Sequence, residues 1–392
     1  MIPFHAHVPI ISWRDTAMRK PALLCALAAT LALGAAAPTF AADVQIGFTG
    51  PISGPASFLG QQMKWGAEQA IAELNKRGGV LGRKVSFTML DSQCRPAEAV
   101  SAAQKLISQD KVDVLMGDLC SGATMAVMPL AESAHKPMIV SISTLPEITD
   151  KAGVGGNKWV FRTVPNDRML ASVIGTQLAH TKTISFIAED TDYGRSAVKL
   201  VKARLGADAK VVSEDYVKST ETDFLPVLTR LRSTKPQALA VFMLDQQGYN
   251  LMKQYTQFGL KMPLVARPPL LAPLAKGLLA GGKFDGSWTV YPYFDQYSSP
   301  ANDAFVKPFV AQHKQGPHYV AYGVYESIMV AADAIRRAGS TGPDAVREAL
   351  AKTDYQGILG PITFDDHNQS HNNLMLVQVE HGKLGVKLIP SK

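Results

Sequence analysis

From Val44 onward the chain alternates short apolar, β-branched runs with stretches whose apolar residues recur every three or four positions. VQIGFTG (44–50) predicts a strand, and Met63, Ala67, Ala70, Ile71 and Leu74 then fall on one helical face that Gly78-Gly79 stops. The order repeats as strand 84–91, helix 96–109, strand 112–117, helix 122–134 and strand 137–141, closing near 158–167. A second run starts afresh: strand 183–190, helix 194–205, strand 209–217, helix 222–232, strand 237–244, helix 247–258, strand 262–266, helix 271–280 and strand 286–293. Continuous apolar strands between amphipathic helices predict parallel sheets covered on both faces, hence an α/β fold of two similar lobes. Residues 301–338 read as one long helical segment anchored by Phe305, Phe309, Tyr322, Ile328 and Ile335, and 360–370 with 373–380 read as a hairpin. No low-complexity linker separates the lobes, so several extended crossings are expected to join them. Ligands in such sheets bind where strands end in loops and helix N-termini begin.

Composition narrows the function. A chain of 392 residues with 46% hydrophobic and 19% charged side chains buries a real core, which excludes a disordered protein. The net charge of +7 comes without runs of Lys or Arg, so the footprint of a nucleic-acid binder is missing. Met18-Arg19-Lys20 opens an apolar stretch ending in small residues, with Thr39 and Ala41 at the positions of a cleavage site. Residues 1–41 are therefore expected to be an export signal, with Met1–Ala17 an over-called translation start, and the mature protein a soluble one of an oxidising compartment. A retained N-terminal anchor is the alternative reading. Cys25 would leave with the signal, and Cys94 and Cys120 remain as an even pair. One disulfide is expected; spacing alone leaves two free buried thiols open. Neither cysteine has a second Cys or a His at ligand spacing, so no metal and no cofactor are expected.

Candidate chemistry gathers just after the strands. The loop 47–60 is rich in Gly, Ser and Pro but holds neither GxxxxGK[ST] nor GxGxxG, so a phosphate cradle is not indicated. Leu119-Cys120-Ser121-Gly122 opens a helix, where Ser121 is expected as N-cap beside free amides that suit a carboxylate. Ser141, Ser143 and Thr144 follow the next strand, and in the second lobe Asp190 to Tyr193 and Asp245 to Gln247 end two more. No GxSxG, no HExxH and no His beside a strand-end Ser is present, which disfavours hydrolysis and leaves no catalytic residue to name.

These residues carry a family resemblance. Residues 53–85, DSQC (91–94), GDLCSG (117–122), STLPEIT (143–149), VFRTVPND (160–167) and DYG (192–194) closely resemble the exported leucine/isoleucine/valine-binding proteins of bacterial ABC importers. The resemblance implies a type I periplasmic binding fold: two Rossmann-like lobes, three hinge crossings near 162, 291 and 359, and a ligand clamped between them. It divides the chain into an N-terminal lobe of 42–162 plus 292–358 and a C-terminal lobe of 163–291 plus 359–392. The family's disulfide falls on Cys94 and Cys120. Its ligand-carboxylate site falls on the side chains of Ser121 and Thr144 with backbone from Leu119, Cys120, Gly122, Ile142 and Ser143, and its second-lobe aromatic falls on Tyr193.

The ammonium half departs from the family. Its Glu falls at or beside Arg267-Pro268-Pro269, and its second cleft Tyr falls on Leu244. A buried ammonium without an anion is costly, so an amino-acid ligand would need a replacement such as Asp245, while Arg267 would repel it. An acid lacking the amine is therefore favoured, an aromatic one included, with an amino acid or short amide as the alternative. Permease subunits of an importer are the expected partners, and a monomer in the periplasm of a Gram-negative cell is the expected state. An exported ligand sensor for a membrane receptor is the competing reading from another class.

Overall fold

The computed structural model describes residues 42–271 and 275–390, so the expected export signal lies outside the described residues. The chain opens with β1 (Val44–Gly50), α1 (Ser57–Lys76), β2 (Val85–Asp91), α2 (Pro96–Ser108), β3 (Val114–Met116), α3 (Ser121–Ser133), β4 (Met138–Val140), α4 (Glu147–Asp150) and β5 (Val160–Arg162). The strands form one parallel sheet in the order β2-β1-β3-β4-β5. Every residue of β3, β4 and β5 is buried, which is what continuous apolar runs dictate for strands covered on both faces.

The second lobe repeats the scheme with α5 (Asp167–Leu178), β6 (Thr183–Glu189), α6 (Asp192–Lys202), β7 (Lys210–Val217), α7 (Leu225–Thr234), β8 (Ala238–Phe242), α8 (Asp245–Phe258), β9 (Leu264–Arg267), α9 (Lys276–Leu279) and β10 (Trp288–Tyr291). Its parallel sheet runs β7-β6-β8-β9. The chain then returns to the first lobe through α10 (Pro300–His313), α11 (Tyr319–Ala338), α12 (Pro343–Ala351), β11 (Asp354–Gly357) and β12 (Gly360–Thr363). It ends in the second lobe with β13 (Leu374–Glu380) and β14 (Lys383–Ile389). Helix α11 is apolar on nearly all sides because it lies inside the first lobe against α1. The helices touch where Gly66 faces Ala321; a Cβ on Gly66 would come 2.2 Å from the Ala321 carbonyl oxygen.

Four expectations change. The segment 301–338 is two helices, because Lys314 adopts a left-handed φ of 59° at the end of α10 and Gly316-Pro317 follow before α11 begins. Within 271–280 the described α-helix covers only Lys276–Leu279. Residues 360–370 and 373–380 do not pair: β12 pairs with β11, and β13 lies between β10 and β14. The intervening Asp365-Asp366-His367-Asn368 forms a turn, with Asn368 at a φ of 55°. Finally, Ile362 and Phe364 pack in the first lobe's core and Leu374 in the second's, so the third crossing lies at 370–373 rather than near 359. Phe161 packs in the first lobe's core and Leu170 in the second's, and Val290 in the second's and Tyr293 in the first's, so the chain changes core after β5 and again after β10.

Candidate functional site

The C-terminal ends of β3, β4, β6, β8, β9 and β10 converge on a cleft of about 590 Å³ between the lobes. Leu119, Cys120, Ser121, Gly122, Ile142, Ser143, Thr144, Tyr193, Asp245 and Arg267 all line it, as does Leu244. Asp190 turns instead to solvent, where its Oδ1 takes a 2.6 Å bond from Arg195 Nε.

At the first-lobe end, the Asp118 carboxylate accepts the Cys120 amide at 2.9 Å, and the Cys120 carbonyl accepts the Thr124 amide at 2.9 Å. Cys120 is thus the N-cap of α3, in an extended conformation, and Ser121 is the first helical residue rather than the cap that sequence suggested. The Asp118 bond two residues upstream shifts the boundary. Ser121 then makes no capping bond, and its hydroxyl is left for the cleft, beside amides at the positive end of α3. Ser143 offers only its backbone, because its hydroxyl is held by Thr124 Oγ1 at 2.7 Å and by the Asp118 carbonyl at 2.8 Å. The loop that carries Thr144 is fixed by Arg162. That buried guanidinium donates to the Leu145 carbonyl at 2.6 Å and the Ser143 carbonyl at 3.3 Å, while its Nε donates to Gln369 Oε1 at 2.7 Å.

Cys94 and Cys120 are joined in a disulfide, their Cα atoms 5.3 Å apart, so the backbone entering α3 is tied to the loop after β2. Asp118 lies beside both sulfurs, yet the disulfide leaves no thiolate to bind a metal there.

The second-lobe end is aromatic and charged. Arg267 closes β9, preceded by Ala266 in a left-handed φ of 74° that a non-glycine residue adopts at a cost of about 1–3 kcal/mol. Its guanidinium carbon lies 4.6 Å from the centre of the Tyr291 ring and 5.9 Å from that of Tyr319. The residue is 5% exposed, and its Nε and Nη1 have no acceptor among the described residues. Asp167, at the first turn of α5, is buried near Arg267 and Arg162, and burial pushes its carboxyl up to about 6 despite both charges. Glu189 closes β6 and accepts the Leu244 amide at 2.9 Å; burial pushes it up to about 7. Asp245 is buried against His318, with 3.0 Å between Oδ2 and Nε2. Across the cleft mouth, a Cβ on Gly122 would come 2.8 Å from Asp192 Oδ2, so the ends of α3 and α6 face each other closely.

Sequence reasoning missed Glu189, Tyr291, His318 and Tyr319. Glu189 and Tyr291 each end a strand and were open to the strand-end rule. His318 and Tyr319 arrive from the start of α11, a placement that depends on packing of the whole first lobe.

Comparison with known proteins agrees with this geometry. Residues 43–383 match the sequence model of the family described as Periplasmic binding protein. The chain is 29% identical over 351 residues to the leucine-, isoleucine-, valine-, threonine-, and alanine-binding protein of Pseudomonas aeruginosa, covering 88% of this chain and 92% of the relative. A solute-binding protein of an ABC transporter from Rhodopseudomonas palustris BisB5, solved with 3,4-dihydroxybenzoic acid, is 26% identical with a TM-score of 0.78, covering 89% and 96% of the two chains. The substrate-binding protein of a Streptococcus pneumoniae branched-chain amino acid transporter, solved with isoleucine, shows the same fold at 22% identity and a TM-score of 0.80, over 88% and 99%. Among the described residues no helix is long and apolar enough to cross a membrane.

Proposed function

Since the chain belongs to the periplasmic binding protein family, as a substrate-binding protein of the branched-chain amino-acid type of ABC transporter, we propose that it captures a small organic carboxylate without an α-ammonium. The observation that carries this reading is the buried guanidinium of Arg267 in a wall of Tyr193, Tyr291 and Tyr319, where an ammonium would meet a like charge. The first lobe offers the α3 amides, the Ser121 hydroxyl and Thr144 to a carboxylate. An apolar body, ring or alkyl, fits between them against Leu244 and the tyrosines. The relative solved with 3,4-dihydroxybenzoic acid supports an aromatic acid. We read the protein as a periplasmic monomer that passes its ligand to permease subunits, a carrier and not a catalyst.

A second reading keeps an amino acid, as in the relatives named for amino acids, or a short amide. Glu189 and Asp245 favour it, since both carboxyls line the cleft and either one can face an ammonium. Calorimetry on protein stripped of bound ligand separates the two. Phenylpropanoate should bind more tightly than phenylalanine, and 4-methylpentanoate more tightly than leucine; the reverse order establishes the second reading.

A further inference from the structure

The α3 amides and Arg267 line one cleft from different lobes, and only the first has been assigned an occupant. Arg267 is always charged, lines the cavity and is 5% exposed. The acids around it do not neutralise it. Asp245 faces His318 at 3.0 Å, Glu189 accepts the Leu244 amide, and Asp167 lies near Arg267 and Arg162 and takes a hydrogen bond from Thr144. Arg162 has Asp150 and Asp365 about it as well as Asp167, whereas Arg267 has Asp167 alone beside its tyrosines, and its Nε and Nη1 find no acceptor among the described residues, which leaves unfilled donors on a buried cation at the cavity wall. Tyrosine rings attract a cation but do not discharge it. A neutral hydroxyl would leave that charge uncompensated, whereas a carboxylate both neutralises it and accepts from the guanidinium.

We propose that Arg267 is a second carboxylate-binding half-site, so that the ligand is a two-ended acid with one carboxylate at the α3 amides and Thr144, the other at Arg267, and an apolar spacer between the tyrosines. This rests on the reading that the first carboxylate sits at α3. The left-handed Ala266 immediately before Arg267 fits the assignment, because it redirects the strand end that carries the guanidinium.

The test uses two matched pairs that differ only in the second carboxylate: 3-phenylpropanoate against 3-(4-carboxyphenyl)propanoate, and hexanoate against hexanedioate. Affinities are measured by calorimetry on the stripped full chain and on Arg267→Gln and Arg267→Lys. The better diacid should bind ~10-fold or more tightly than its monoacid partner, Arg267→Gln should remove that preference, and Arg267→Lys should keep part of it. Should Arg267→Gln fail to fold, the wild-type ratio and the Lys variant decide. A monoacid that binds as tightly as its diacid overturns the proposal and leaves the single-carboxylate reading standing. Equal losses for both acids in Arg267→Gln overturn it by showing that Arg267 takes the first carboxylate. Binding of phenylalanine or leucine with none of the four acids overturns both readings.

Discussion

Asp245 Oδ2 and His318 Nε2 lie 3.0 Å apart with both side chains buried, and they belong to different lobes: Asp245 opens α8 and His318 caps α11. Nδ1 of His318 accepts from the Val320 amide at 3.5 Å, which assigns the ring proton to Nε2, the nitrogen beside the carboxylate, although the two are not aligned as a hydrogen bond. The pair joins the lobes beside the cleft, so Asp245 is already engaged before any ligand arrives. Replacing either member should weaken phenylpropanoate binding by about 5-fold, on the order of 1 kcal/mol, and the double variant should be no worse than the single ones. A double-mutant cycle read by calorimetry checks this. Additive losses would show that the two side chains act separately.

Ser121 and Thr144 are expected to hold the first carboxylate. Alanine at either position should cost roughly 1.5–3 kcal/mol, or ~10- to 100-fold in affinity for phenylpropanoate. Because Cys120 and not Ser121 caps α3, Ser121→Ala should also leave the unfolding free energy within about 0.5 kcal/mol. Affinity unchanged in both variants would remove these residues from the site.

Glu189 sets a pH dependence. Its folded-state carboxyl is pushed up to about 7, against an ordinary 4.5, so the folded protein holds a proton that the unfolded chain releases. Stability tied to this group is full below 4.5 and is lost as pH rises through about 7. Glu326, buried and likewise pushed up to about 7, adds in the same direction. Glu189→Gln should therefore flatten the fall in urea stability between about pH 5 and pH 8, with a gain at pH 8 of up to ~3 kcal/mol. A variant whose stability profile parallels the wild type contradicts the assignment.

The Cys94–Cys120 disulfide closes a separation of 26 residues at the entrance of α3. Peptide mapping without reductant should recover the linked pair, and Cys94→Ser with Cys120→Ser should lower stability by about 3 kcal/mol on chain-entropy grounds. Two free thiols in protein recovered from an oxidising compartment would contradict it.

The alternation of strands and helices was legible in sequence because parallel strands covered on both faces write continuous apolar runs, and α1 writes its periodicity in Met63, Ala67, Ala70 and Leu74. Strand ends then directed attention to Ser121, Thr144 and Tyr193, and the family resemblance to Arg267, all of which the fold gathers in one cleft. The pairing of β13 was not legible, since its neighbour β10 lies more than 80 residues earlier and no turn motif records that partnership. The cap of α3 was misplaced because Ser121 matches the N-cap preference as well as any residue there, while the deciding bond comes from the Asp118 side chain. Tyr319 reaches the cleft, and His318 its neighbour Asp245, only through the docking of α11, and a helix that is apolar on nearly all sides carries little local sign of which end meets a ligand.

The return of the chain to the first lobe has a consequence for how the molecule is made. Helix α1 needs α11 to cover it, and Gly66 meets Ala321 some 255 residues later, after the whole of the parallel β7-β6-β8-β9 sheet has been built. A nascent chain threading from its N-terminus must therefore carry an open first core past the ribosome until α11 emerges. The same holds for β10, whose neighbour β13 comes last. The first lobe cannot finish until the second lobe's parallel sheet has emerged, and the second not until β13 follows, so truncation ahead of Tyr319 leaves both cores incomplete.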